Sequence, residues 1–372
     1  MNKFFAVVIA ALAVIFSGHA GVISKLRTAA ENGDAKAQFN LGGCYENGFR
    51  VIKNPFEAVK WYKKAAEQGY APAQYKLGVH LENGIGAALN YDQAVMWYRR
   101  AAAQNYDKAQ FALAECYEKG RGGGVNYSEA MKLYRQAAAR GNAEAMLALG
   151  KHYENGYWLT KDLTEAAKWY LQAAESGIDI AQYKLGTFYM RGSGVKKDLV
   201  EAVKWYRYAA EQGYAEAQCE LGWCYNEGAG VPQNHAEAIK WYRKAADQGH
   251  IISQHNLGVC YENGWGVTKD YAEAVKWYRK AAEQGYAPAQ NNLGVCYYSG
   301  RGVTKDPVEA VKWYRLAAKG GDVNAPTNLA WCYENGNGVP KDHAEAVKWW
   351  KTAASRGNKN AQAQLKKLNE TW

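Results

Sequence analysis

The residues of this chain best equipped for chemistry are its seven cysteines and seven histidines. Six of the cysteines (Cys44, Cys116, Cys224, Cys260, Cys296 and Cys332) recur at multiples of 36 residues, and His80 and His152 fill the same place in copies that lack the thiol. A row of thiolates and imidazoles would be a metal site if it were concentrated. No C-x-x-C or H-x-x-x-H spacing concentrates it. Equivalent places in stacked units lie about 10 Å apart on helix-packing distances, too far for a disulfide. Cys219 and Cys224, five apart, point in different directions on one helix. The row reads as small buried residues with free thiols, and no metal or cofactor is expected.

Catalytic signatures fare no better. His235 and His343 sit in the context H-A-E, but the P-C-x-x-C partner of a zinc deaminase is missing. Ser193-Gly-Val-Lys196 matches S-x-x-K, without the S-D-N or K-T-G partners of a penicillin-recognising serine. One such match is what chance supplies in a chain of this composition. There is no P-loop, no H-E-x-x-H and no G-x-S-x-G. The chain is not expected to be an enzyme.

The elements that must position these residues are repeated. The chain has 372 residues, 48% apolar and 22% charged, which excludes a disordered or collagen-like polymer. From residue 35 to 358 it divides into nine consecutive 36-residue units without insertion or deletion, the seventh being IISQHNLGVCYENGWGVTKDYAEAVKWYRKAAEQGY. Leu257, Gly258 and Tyr261 have helical spacing. Gly264 stops this first helix, and all nine copies have glycine there, as a left-handed C-terminal cap requires. Asp270 followed by Glu273 is a capping box opening a second helix. Ala274, Trp277, Tyr278, Ala281 and Ala282 form its buried stripe, and Gly285 ends it. One copy replaces that last glycine with Asn105, which also tolerates positive φ. No unit can bury its tryptophan alone, so neighbours must stack. The prediction is an all-α fold, a right-handed α-solenoid of nine helix-turn-helix repeats. Residues 21–34 form an N-terminal capping half-repeat and 359–372 a C-terminal capping helix.

The formal charge is +10. Much of it recurs on the second helix, as at Lys204/Arg207 and Lys276/Arg279, among regularly spaced acids such as Glu211 and Glu283. This is a solvated, salt-bridge-laced face, and no nucleic-acid partner is expected. Residues 1–20 read as a signal peptide. Lys3 precedes the apolar run from Phe4 to Phe16, and Gly18-His19-Ala20 invites cleavage after Ala20. The run is short for a bilayer span, so no stable membrane insertion is expected once it is removed. An exported chain would permit disulfides.

The recurring pattern A-x-A-Q-x-x-L-G-x-x-Y-x-x-G-x-G-V-x-x-D-x-x-x-A-x-x-W-Y-x-x-A-A-x-x-G closely resembles the Sel-1-like repeat, a relative of the tetratricopeptide repeat. The departures are local: Leu81 for Tyr, Leu133 for Trp, and Tyr157-Trp158 in a loop that is elsewhere glycine-rich. The resemblance implies an exported adaptor that holds other proteins, in the bacterial periplasm or secreted toward a host. It also implies an alternative, a protein that binds or hydrolyses β-lactams or cell-wall peptides, like the family's cysteine-rich branch. That branch pairs two cysteines per repeat, and this chain has one. In such solenoids the first helices line the concave side. There the informative places are those that vary without serving packing: His255, Asn256, Asn291, Asn292 and Asn328, with Trp223 and Trp331 between rungs. The expectation is an extended peptide or protein segment, its backbone bonded by the asparagines and anchored by the tryptophans. The competing reading is that these are solvated or packed helix residues. Tyr157, Trp158 and Trp265, in loops, form a secondary edge patch.

Overall fold

The computed structural model describes residues 22–372, so the signal-peptide reading of residues 1–20 lies outside the described residues. Among them there are helices and turns and no strand. The chain forms two compact units, one ending at Ile178 and one spanning Asp179–Trp372.

The first unit opens with α1, residues 22–31. Four helix pairs follow: α2 Ala35–Asn47 with α3 Pro55–Glu67, α4 Ala71–Asn83 with α5 Tyr91–Ala103, α6 Asp107–Lys119 with α7 Tyr127–Ala138, and α8 Ala143–Asn155 with α9 Leu163–Glu175. The second unit has five pairs and a last helix. They are α10 Asp179–Arg191 with α11 Leu199–Glu211, α12 Ala215–Glu227 with α13 His235–Asp247, and α14 Ile251–Asn263 with α15 Tyr271–Glu283. Then come α16 Ala287–Ser299 with α17 Pro307–Lys319, α18 Ala325–Asn335 with α19 His343–Ser355, and α20 Lys359–Lys367. From α2 onward, each helix within a unit packs on the next in chain order, the stacked arrangement of an α-solenoid. No helix among the described residues is long and apolar enough to cross a membrane.

The caps explain the helix boundaries. Every glycine from Gly48 to Gly336 at the end of the first helices has positive φ, and Asn105 has φ 62° where its counterparts are glycine. The Asp or Asn opening each second helix accepts from the backbone N–H three residues on, as Asp270 does from Glu273 at 3.0 Å. The capping box is only half made. The N-cap backbone N–H donates to the repeat tyrosine's carbonyl instead, as Asp270 does to Tyr261 at 2.9 Å. With that donor taken, the glutamate side chain pairs with the lysine one turn on: Glu273 with Lys276 at 2.8 Å, Glu309 with Lys312 at 2.8 Å.

Packing follows the expected stripe. Leu41, Leu221, Leu257 and Leu293 are wholly buried. The tyrosine of each second helix lies over the small residue of its own first helix, so closely that a Cβ on Gly258 would stand 2.4 Å from the Tyr278 ring. The tryptophan reaches back one repeat: Trp277 is buried with Ile239, Tyr242, Cys219 and Cys260. Polar rungs reinforce the stack. Gln248 Nε2 donates to Gln218 Oε1 and Gln284 Nε2 to Gln254 Oε1, each at 2.8 Å.

Candidate functional site

The cysteine row is a packing feature. Cys116, Cys224, Cys260, Cys296 and Cys332 are buried free thiols, and Cys44 is half-buried. His80 takes the same place, its Nδ1 bonded to the Ile85 carbonyl at 2.8 Å and its Nε2 3.6 Å from Glu46. Among the described residues no three His, Cys, Asp or Glu side chains converge as a metal site would require. His235 bonds Asn226 at 2.9 Å and stacks on Trp265, while His343 pairs with Glu334 at 2.7 Å. Both are tied to the preceding first helix. Ser193 lies in the inter-helix turn, its backbone N–H bonded to the Phe188 carbonyl at 3.0 Å.

The second unit holds all seven predicted peptide-binding residues. Trp223, on α12, is 41% exposed and stands between two hollows. The larger, about 300 Å³, is lined by Tyr183, Met190, Tyr206, Glu220 and Asn256 among others. The smaller, about 130 Å³, is lined by Asn226, Tyr242, Asn256 and Trp265 among others. Trp265 thus joins the Trp223 surface, although its loop position suggested an edge patch. Trp331, 43% exposed, overlooks a third hollow of about 320 Å³ with Tyr298, Tyr314 and Asn328, and packs edge-on against Trp350 at 5.4 Å.

The polar rungs bond to one another across repeats. Asn292 Nδ2 lies 3.2 Å from His255 Nε2, and Asn328 Nδ2 donates to Asn291 Oδ1 at 2.8 Å. His255 Nδ1 is 3.4 Å from Asn256 Oδ1. Asn291 is buried, whereas Asn256, Asn292 and Asn328 are half-buried. Burial holds the His255 imidazole below its ordinary value of 6.5, so it is neutral at pH 7 and its Nε2 accepts the Asn292 amide. Among the described residues Asn256 Nδ2, Asn292 Oδ1 and Asn328 Oδ1 take part in none of these bonds.

In the first unit, Tyr157 and Trp158 are 56% and 51% exposed. Trp158 has φ 59°, at the place where the first repeat has Arg50 and the others a left-handed glycine, and stacks on Tyr127 with centroids 3.3 Å apart.

Two features were missed from sequence. One is a glutamate row just after the repeat tyrosine. Tyr98 donates to Glu82 at 2.7 Å, Tyr134 to Glu118 and Tyr278 to Glu262 at 2.6 Å. Its signal, a recurring Y-E, was visible in the repeat. The other is the fate of the basic stripe. Its arginines donate to the tyrosine hydroxyl of the next repeat, Arg207 to Tyr225 at 2.6 Å and Arg279 to Tyr297 at 2.7 Å. The stripe is laced partly by tyrosines rather than by acids alone.

The Sel1 repeat family model matches nine times, over residues 35–70, 71–106, 107–142, 143–178, 179–214, 215–250, 251–286, 287–322 and 325–358. The chain belongs to the Sel1 repeat family. Among solved structures it is similar to a protective antigen of uropathogenic Escherichia coli displaying an SLR fold, at 34% identity and TM-score 0.79. That match covers 93% of this chain and 82% of the antigen. A Sel1 repeat protein of Oxalobacter formigenes is 36% identical with TM-score 0.59, over 66% of this chain and 96% of that one. Among curated proteins no match was found. Sel1 repeats are generally non-catalytic scaffolds for protein–protein interaction.

Proposed function

We propose that this Sel1 repeat protein is an exported, non-enzymatic adaptor of the bacterial envelope that holds a segment of another protein along α12, α14, α16 and α18. The observation that carries the reading is Trp223, a half-exposed indole between two hollows. Large aromatics left with accessible faces beside cavities are the residues that dominate binding energy. Trp331 repeats the arrangement further along the same unit; Asn256 and Asn292 lie on the helices between, and Asn328 on the helix of Trp331 itself. Export is part of the proposal and rests on the sequence of residues 1–20.

The test is crosslinked capture from the native envelope fraction, comparing the intact chain with Trp223→Ala/Trp331→Ala. One specific protein, recovered by the intact chain and reduced by roughly thirtyfold in affinity with the double variant, is the expected result. Equal recovery by both moves the docking surface away from these helices. No saturable protein partner for the intact chain overturns the adaptor reading.

A further inference from the structure

The sixth place of a first helix reaches back toward the twelfth place of the preceding one. In the first two repeats this brings Lys76 Nζ to 3.0 Å from Glu46 Oε1, with both side chains partly buried. Repeats 5 and 6 have changed both partners: the twelfth place is Met190 and the sixth is Glu220. The acid has crossed the contact, and no cation has replaced the lysine opposite it. Glu220 is the only acid at the sixth place, where the other eight copies have Asn, Lys or Ala.

The loss of the twelfth-place glutamate also opens space. Tyr206, whose counterparts Tyr98 and Tyr134 donate to that glutamate, has Thr187 Oγ1 at 3.3 Å instead. The hollow of about 300 Å³ lies there, with Glu220, Met190, Tyr206, Trp223 and Asn256 on its walls. This volume is at the small end of ligand pockets and suits one side chain rather than a larger molecule. The Glu220 carboxylate is partly buried and bonded to no described residue. Burial holds its pKa above the ordinary carboxylate value, opposed by the field of Arg191. Arg191 is exposed on the wall of the same hollow and forms no ion pair with it.

A partly buried carboxylate that Arg191 influences only at a distance, with no ion-pair partner in contact, is costly and favours an external cation. An indole beside it favours the same charge through its π face. A planar guanidinium satisfies both at once: two N–H groups fit the carboxylate while the plane stacks on an aromatic face. We propose that the hollow between Glu220 and Trp223 receives an arginine side chain of the partner segment, its guanidinium paired with Glu220 and laid against Trp223. This inference rests on the adaptor reading for the source of the arginine.

The test uses the full chain labelled with 5-fluorotryptophan, the Trp223 fluorine signal being assigned by its loss in Trp223→Phe. The probes are N-acetyl-arginine amide and its neutral isostere N-acetyl-citrulline amide. The arginine probe is expected to shift the Trp223 signal saturably, and the citrulline probe to bind about tenfold more weakly. Glu220→Gln, which keeps the volume and removes the charge, should abolish that preference, while Arg191→Ala should strengthen arginine binding. Far-ultraviolet circular dichroism confirms that each variant is folded. Equal shifts by both probes, or an unchanged preference in Glu220→Gln, overturn the proposal. A captured envelope protein whose recovery is undiminished by Glu220→Gln also overturns it and leaves the adaptor standing. Failure to capture any partner, with the arginine preference intact, overturns the adaptor and leaves the pocket.

Discussion

At the scale of single residues, burial sets the chemistry. It pushes the thiols of Cys116, Cys224, Cys260 and Cys296 up to about 12 and those of Cys219 and Cys332 to about 11. Thiolates are the reactive species, so these six should be inert in the folded chain. Burial raises the Cys44 thiol too, with the field of Arg50 opposing, but Cys44 is only half-buried. A disulfide-exchange reagent should therefore label Cys44 first, and the others only on unfolding; fast labelling of a second thiol in native protein would contradict this. His255 gives a pH dependence with a definite sign. It lies between the rings of Tyr278 and Tyr286, and burial lowers its pKa from 6.5; His250 shifts the same way. The unfolded chain thus binds protons that the folded chain refuses, so stability is full above 6.5 and falls as pH drops through the window below it. Glu220, shifted upward, acts with the opposite sign nearer the carboxylate range. Denaturation midpoints between about pH 7.5 and 5.5 should decline less steeply in His255→Asn, a change that copies Asn291 of the next repeat. Parallel slopes would show that His255 titrates unhindered.

At the scale of elements, the turn between the two helices of a repeat is set by how closely it approaches its neighbour. A Cβ on Gly302 would meet the Tyr271 carbonyl oxygen at 2.2 Å, in a backbone with φ +70°. Gly302→Ala should cost about 3 kcal/mol, from left-handed strain plus a contact only backbone movement can relieve. Trp158 occupies the equivalent place in repeat 4 with φ 59°. Its backbone strain is offset by the stack on Tyr127, so Trp158→Gly should stay within about 1 kcal/mol of the native chain by thermal denaturation. A large loss would make this tryptophan a packing residue; near neutrality leaves it available at the edge of the unit. The elements themselves were legible because each boundary is written in local chemistry: Gly264 and Asn105 in the left-handed region, Asp270 capping the N–H of Glu273. That Glu273 leaves the N-cap backbone to another partner was not legible. Which acceptor the N-cap backbone N–H finds depends on the Tyr261 carbonyl of the facing helix, a tertiary fact with no trace in the capping box.

At the scale of the whole molecule, the same division between local and cross-repeat interactions decides what the sequence could say about the site. Trp223 and Trp331 stood out because they break a small-residue place, and both are exposed beside hollows. The asparagines stood out as a ladder, but Asn292 with His255 and Asn328 with Asn291 bond between neighbours. A register of about one repeat between bonded residues appears only once helices are stacked. Stacking also predicts how damage spreads. In a chain whose contacts run to the next element, stability is a sum of repeat and interface terms. Helix α20 closes the second unit by placing Ala361 and Leu365 over Ala330, Ala346, Ala353, Ala354 and the wholly buried Trp350. Leu365→Ala should remove about 2–3 kcal/mol at that end. Ending the chain at Gly357 should uncover the side of this cluster that α20 covers. Amide hydrogen exchange should then accelerate in α18 and α19, less in α16 and α17, and remain unchanged in α10 to α13. A uniform acceleration from Asp179 onward would show instead that the second unit opens as one cooperative block, with interface terms too large for any repeat to open alone.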